Sequence, residues 1–264
     1  MNSSVQLQEA ALWRRADHIA FLVLAAIFFI GVGHCLLTPP FEGFDENAHY
    51  AYVQLIADEN RAPANGVDLL SADTERDYFS KAPRAYSPEA PFHENRGLTY
   101  AEIFASPGAA DRARRAVKDR PTTPRRYRPA GDQNWQAQHG PLAYAALVPV
   151  YHATKHLSWG AHLFWLRAAC WSIAVAGFAI GLLATRGLFK NPDTISAAGR
   201  PAYLIAAVFP FLTPMFFPEF ARLGNDAFCL LFAGVAWAAL LRILSRGSQG
   251  GFGLLNTVVL GGAL

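Results

Sequence analysis

The stretch "HIAFLVLAAIFFIGVGHCLLTPPFEGFDENAHYAYVQL" (His18–Leu55) decides the fold. From Ile19 to Leu37 it is almost purely apolar, over about the twenty residues that carry a helix across a bilayer core. "LTPP" follows the run, where a signal peptide would carry a small-residue cleavage site. Immediately beyond stand Glu42, Asp45, Glu46 and His49. Three carboxylates and an imidazole at the exit of an apolar helix put polar chemistry where membrane meets water.

The rest of the chain repeats the apolar theme. Ala168 to Thr185, Ala202 to Phe217 and Ala227 to Leu241 are further runs, and Phe252 to Leu264 begins another. With 52% apolar residues among 264 and several segments near spanning length, the chain reads as an all-α polytopic membrane protein. The first run is not a cleavable signal peptide. Its core is long and no A-x-A site follows, so it is a retained helix. The last run stops about half a span into a helix. The expectation is therefore the N-terminal part of a longer protein, or a truncated one. A net charge of +3 gives no footing for a nucleic-acid partner. Cys35, Cys170 and Cys229 fall in apolar runs without metal-ligand spacing, and are expected as small buried packing residues.

Residues 1–17 form a polar leader, and Arg14 and Arg15 place it in the cytoplasm by the positive-inside rule. Residues 18–37 are transmembrane helix 1. Residues 38–161 are an outer loop with juxtamembrane helices at about 45–58 and 141–157. Residues 162–264 hold transmembrane helices 2 to 4, at about 162–185, 201–218 and 226–244, and the start of a fifth near 252. Two topologies compete at Pro141–Tyr151. If this segment crosses, the turns with Arg186, Lys190 and Arg200, and with Arg242 and Arg246, lie outside. If it lies along the surface as an amphipathic helix, both turns lie inside, as the charge rule prefers. Trp159, Phe164 and Trp165 fit an interfacial aromatic belt. The dense run "RARRAVKDRPTTPRRYRP" (Arg112–Pro129) reads either as a solvated loop or as a basic rim for lipid phosphates.

After Gly43, "FDENAHYAYVQLIADEN" reads as a helix. Asp45 and His49 are four residues apart and share a face, which Tyr52 continues. The plain reading makes Asp45 an N-cap and His49 an interfacial polar residue. The functional reading makes Asp45 or Glu46 the carboxylate that accepts a proton from a hydroxyl, or holds a metal, with His49 alongside. Asp45 and His49 alone are weak metal candidates, because two ligands do not make a site. A divalent cation stays open as a cofactor.

"TPPFEGFDENAHYAYV" (Thr38–Val53) resembles the first outer loop of GT-C type integral-membrane glycosyltransferases. It is most similar to uncharacterised bacterial relatives with a Pro-Pro, Asp-Glu, His signature after helix 1. "QHGPLAYAALVPVY" (Gln138–Tyr151) resembles the family's His-Pro-Pro-Leu-Tyr segment. Arg167 in "LFWLRAACWSIAVAG" resembles the Arg that opens the next helix. "PMFFPEFARLGNDAFCLLFAG" (Pro214–Gly234) resembles the later Asn-x-Asp motif. The chain departs from the pattern at Asn47 and Gly140, where prolines are usual, and has no Pro between Asn225 and Asp226.

The resemblance implies a GT-C-like helix bundle in a bacterial inner (plasma) membrane, with the large loop periplasmic. It implies transfer of a sugar from a polyprenyl-phosphate donor to an acceptor hydroxyl on the outer face, among membrane lipids. Asp45 and Glu46 are then the candidate catalytic acids. His49, His139, Arg167 and Asp226 are the candidate substrate-binding residues. A fork such as Arg167 suits a phosphate, or it snorkels to the headgroups. His139 is a loop histidine or touches the donor phosphate. Asp226 is an N-cap or a supporting acid, and Arg222 an interfacial residue. Two other functions compete: a transporter or flippase of lipid-linked saccharide, and a membrane-anchored binding protein without catalysis. A transporter would hold ionisable groups at mid-membrane. Here they stand near the ends of the apolar runs.

Overall fold

An apolar run of spanning length satisfies its backbone in lipid by forming an α-helix. The computed structural model follows that rule and describes residues 3–82, 101, 105–190 and 199–245. Among the described residues, three helices are long and apolar enough to cross a membrane: Gln6–Leu37, Trp159–Phe189 and Asp226–Leu244. They belong to α1 (Ser3–Leu37), α5 (Trp159–Lys190) and α8 (Asp226–Ser245). Between α1 and α5 lie α2 (Glu46–Glu59), α3 (Pro107–Lys118) and α4 (Leu142–Thr154). Two strands lie there too, β1 (Leu69–Ser71) and β2 (Pro129–Gln133). After α5 come α6 (Gly199–Leu212) and the short α7 (Phe216–Phe220). The chain divides into two compact units. One comprises Met1–Gly33, Trp171–Phe220 and Asp226–Leu264; the other comprises His34–Cys170 and Ala221–Asn225.

In the first unit α1 and α5 run antiparallel. Trp13, Ala16 and Ala20 pack with Leu182, Tyr203 and Ala207, and the Trp171 indole N–H donates to Phe28 O at 3.0 Å. Near one end, Arg186 donates to Asp17 through Nε and Nη2, and Arg200 pairs with Glu9. These pairs put the start of α1, the end of α5 and the start of α6 on one side. They also explain why α1 is helical from Ser3 and not, as expected, only from residue 18. The polar first turns find counter-charges on neighbouring helices.

The segment expected as helix 3, at about 201–218, is interrupted. Pro210 sits inside α6, which ends at Leu212 ahead of Pro214. Fourteen residues span about 21 Å at 1.5 Å each, short of a core of about 30 Å. The fifth helix expected near 252 lies outside the described residues. Cys229 is exposed, unlike the buried Cys35 and Cys170.

Close approach of α5 and α8 depends on two glycines. A Cβ on Gly177 would stand 2.4 Å from Leu231 Cα, and one on Gly234 would stand 2.0 Å from Gly177 O. Small residues let helix backbones touch where lipid gives no hydrophobic drive.

The described residues are mostly helical, as expected, and the second unit adds two short strands to them. β1 pairs antiparallel with β2, Leu70 opposite Ala130 and Ser71 opposite Pro129, with an irregularity between Leu69 and Leu70. Pro129 opens its strand, the position a proline tolerates. α2 is buried from Glu46 through Leu55, because α4 and β1 flank it. Ala48 and Ala51 admit Leu70 of β1. The basic run divides into α3, a connection, and the start of β2. Trp159, expected in an interfacial belt, is instead buried against Phe41, Tyr50 and Tyr78.

Replacing Gly177 or Gly234 with isoleucine should overpack α5 on α8 and cost at least about 1–3 kcal/mol. Gly33→Ala, with no atom within 4 Å of the added Cβ, should leave stability unchanged. Thermal unfolding midpoints in detergent check all three.

Candidate functional site

The carboxylate of Glu46 and the guanidinium of Arg167 form the centre of the second unit. They are 0% and 2% exposed, and a bare charge so placed is costly unless paired and hydrogen-bonded. Arg167 Nε donates to Glu46 Oε1 at 2.7 Å, and Nη2 donates to Oε2 at 2.5 Å. Nη1 donates to Cys35 O and Thr38 O, and Nη2 donates also to Pro39 O. Five N–H groups thus meet five acceptor contacts, the whole donor capacity of an arginine. Three of those acceptors are carbonyls at and just past the end of α1, which a helix leaves without partners.

Glu46 is equally occupied. Besides Arg167 it accepts Phe41 N–H at 3.0 Å and Leu223 N–H at 2.9 Å. Gly43 makes this approach possible, since a Cβ there would meet Arg222 Cβ at 3.0 Å and Glu46 Cδ at 3.2 Å. Arg222, expected at the interface, is buried and donates to Phe44 O at 2.5 Å. These facts revise two sequence expectations. Glu46 has no lone-pair direction left open towards a substrate hydroxyl. Arg167 neither snorkels nor offers a free fork to phosphate, because every donor is committed within the fold.

Asp45 differs from its neighbour. It is half-buried and holds φ 56°, ψ 15° in the left-handed region, which Asp tolerates better than most residues. Its side chain makes no cap bond to the first turn of α2, so the N-cap reading fails in its usual form. Instead Oδ2 accepts from Gln136 Nε2 at 3.1 Å. Gln136 N–H donates to Asn134 Oδ1 at 3.0 Å, and Asn134 Nδ2 donates to Ala48 O at 3.1 Å. This chain of bonds ties the carboxylate to the backbone of α2. Phe41, also left-handed at φ 64°, is held by four surrounding rings and by its bond to Glu46.

His49 points into α4. Its Nδ1 shares a 3.0 Å hydrogen bond with the Tyr144 hydroxyl, and the rings stack at 24°. Tyr144 stacks in turn on Tyr52 at 3.8 Å between ring centres, and the Tyr52 hydroxyl donates to His139 O at 2.8 Å. Burial pushes the His49 imidazole down to about 3, with the charges of Arg222 and His139 adding to the shift. It is neutral at physiological pH. His139 is half-buried and enters this group through its backbone carbonyl. Asp226 begins α8, in the other unit.

Asp45 is the half-exposed member of a polar cluster whose other side chains, Gln136, His49 and Tyr144, are buried, with the His139 backbone joining them. A divalent cation does not fit the residues present. Among the described residues no three His, Cys, Asp or Glu side chains converge as ligands, and His49 already uses Nδ1 on Tyr144. Sequence reading missed Gln136, Asn134 and Tyr144. Gln136 and Tyr144 flank His139 closely, so proximity to that histidine was the available signal.

Two outcomes are expected. Glu46→Gln and Arg167→Lys each leave a buried charge short of partners and should destabilise the fold by about 3–5 kcal/mol. Asp45→Asn keeps a residue suited to left-handed backbone and should change stability by about 1 kcal/mol or less. Thermal unfolding in detergent separates the two cases. The second outcome concerns pH. His49 has a folded pKa of about 3 against 6.5 unfolded, so the unfolded chain binds the extra proton. Its contribution is fully present above 6.5 and is lost as pH falls from there towards 3. His49→Gln should flatten that acid limb in a pH series of unfolding midpoints.

No protein-family model, curated protein or solved structure matches this chain, so its functional reading rests on the residues themselves.

Proposed function

We propose that this chain carries the acceptor-activating site of a membrane glycosyltransferase of GT-C type. Its donor is a sugar on polyprenyl phosphate, and its acceptor is a hydroxyl that arrives from the outer, periplasmic side of a bacterial inner membrane. One observation carries the reading. Two adjacent carboxylates just beyond an apolar helix have opposite environments. Glu46 is enclosed and fully bonded, whereas Asp45 is half-exposed and aimed by Gln136. Adjacent acids with divided environments are a common arrangement where one is structural or a proton carrier and the other acts on substrate.

Asp45 accepts the hydrogen bond of the attacking hydroxyl and takes up its proton. The hydroxyl oxygen bonds to the sugar's anomeric carbon as the bond from that carbon to the lipid phosphate breaks. Direct displacement needs one such acid and a stabilised leaving group, not the paired carboxylates of a retaining glycosidase. Neutral His49 holds Tyr144 in place and carries no charge to the site. Arg167 acts only through Glu46 and the end of α1, so charge on the departing phosphate is met by other groups. The antiparallel run of α1 and α5 supports an orientation with α4 on the outer side, not crossing.

Asp45→Asn should lower transfer by about 100-fold or more without loss of membrane insertion. The measurement is sugar transfer from a polyprenyl-phosphate donor, in membranes holding the protein that carries this chain. Near-normal turnover would sink the acid-centred reading. In a cysteine-free background, cysteines at Asn65 and Asp132 should react with an impermeant thiol reagent in intact cells, and one at Gln8 should not. The reverse pattern would put Asp45 on the wrong side for this donor.

A further inference from the structure

A second charged feature lies in the same unit, apart from the Asp45 group. A cavity of about 1060 Å³ is walled by the turn Asp73–Tyr78, by α3 and by the connection from Asp119 to Arg128. Seven cationic side chains line it against three carboxylates. Two of those carboxylates are already taken, since Arg128 donates to Asp73 at 3.1 Å and to Asp77 at 2.7 Å. Arg112, Arg115, Arg120 and Arg126 form no ion pair among the described residues.

Arg125 also lines the cavity and is held rigidly. It is buried, its guanidinium lies 3.9 Å over the Trp159 ring, and Nη1 donates to Lys155 O at 3.0 Å and Leu157 O at 2.7 Å. These partners fix its place without supplying a counter-charge. Burial lowers its pKa accordingly. Like charges gathered around one space repel, and solubility alone would be served by scattering them. An anion inside the cavity relieves both costs. Arginine is the side chain suited to it, as a planar fork that binds phosphate oxygens in pairs.

We propose that this cavity binds a phosphate-bearing anion of pyrophosphate size or larger, with Arg112, Arg115, Arg120 and Arg126 as its forks and Tyr78 and Trp159 walling the group it carries. The volume of about 1060 Å³ is slightly above the usual range for small-molecule sites, about 300–1,000 Å³, so a phosphate with an attached body fits. The phosphate comes either from a lipid headgroup or from a water-borne ligand. The chemistry stands whether or not Asp45 serves sugar transfer.

The test uses the whole chain, and two probes distinguish the sources. Inorganic pyrophosphate is titrated onto protein in neutral detergent. Phosphatidate is supplied in phosphatidylcholine nanodiscs that hold the protein. Each is followed by the thermal unfolding midpoint. Pyrophosphate should raise the midpoint saturably. The variant Arg120→Gln/Arg126→Gln alters two exposed residues and should weaken its affinity about a hundredfold, or about tenfold per arginine. Arg112→Gln alone should give about tenfold. Arg114→Gln, which is exposed, outside the cavity and paired with Asp111, should give no change. Stabilisation by phosphatidate alone, lost in the same variants, would assign the site to a lipid headgroup. No stabilisation by either probe, or equal weakening by Arg114→Gln, would overturn the proposal.

Discussion

The interaction on which the second unit depends is the buried bond between Glu46 and Arg167. Its importance lies less in net energy than in what it fixes. A buried ion pair often stabilises no more than apolar residues of the same shape, yet breaking it is expensive because the survivor is left charged and dry. Here the pair also bonds backbone groups at the end of α1 and in the turns that follow. Arg167 takes the carbonyls that end α1, and Glu46 takes the amides of Phe41 and Leu223. One pair therefore sets where a long helix stops, how the chain turns at Pro39–Gly43, and where α2 begins.

That constraint explains the strained backbone beside it. Phe41 and Asp45 both sit at positive φ, which a non-glycine residue holds only when its surroundings over-determine it. For Phe41 the surroundings are aromatic rings and a bond to Glu46. For Asp45 they are the fixed start of α2 and the side-chain relay from Ala48 through Asn134 to Gln136. The outcome is a carboxylate held at a defined place by a scaffold that uses its neighbour as an anchor. A group held in this way has little conformational freedom left to lose.

Within the first unit the ordering principle is different. Small residues bring α5 and α8 to backbone contact, and Asp17 and Glu9 of α1 neutralise Arg186 and Arg200. Close packing and paired charges near one end do there what the Glu46–Arg167 pair does for the loop.

The sequence by itself determined the long apolar helices, because a run of some twenty apolar residues leaves little else for the backbone to do in lipid. It also pointed to α2, expected at about 45–58 and found at Glu46–Glu59, and to α4, expected at about 141–157 and ending earlier, at Thr154. It located the polar group after α1, because acids and histidine so close to an apolar run are conspicuous. Only the tertiary structure decided how those residues divide their work. Arg167 lies 121 positions from Glu46, and no local pattern says that its five donors will be consumed by a helix end and one carboxylate. The partners of Asp45 and His49 are likewise remote, Gln136 on a short turn and Tyr144 on α4. The β1–β2 pair was illegible for the same reason. Its strands are only three and five residues long, too short for periodicity to reveal, and they exist because distant segments meet to complete each other's backbone hydrogen bonds.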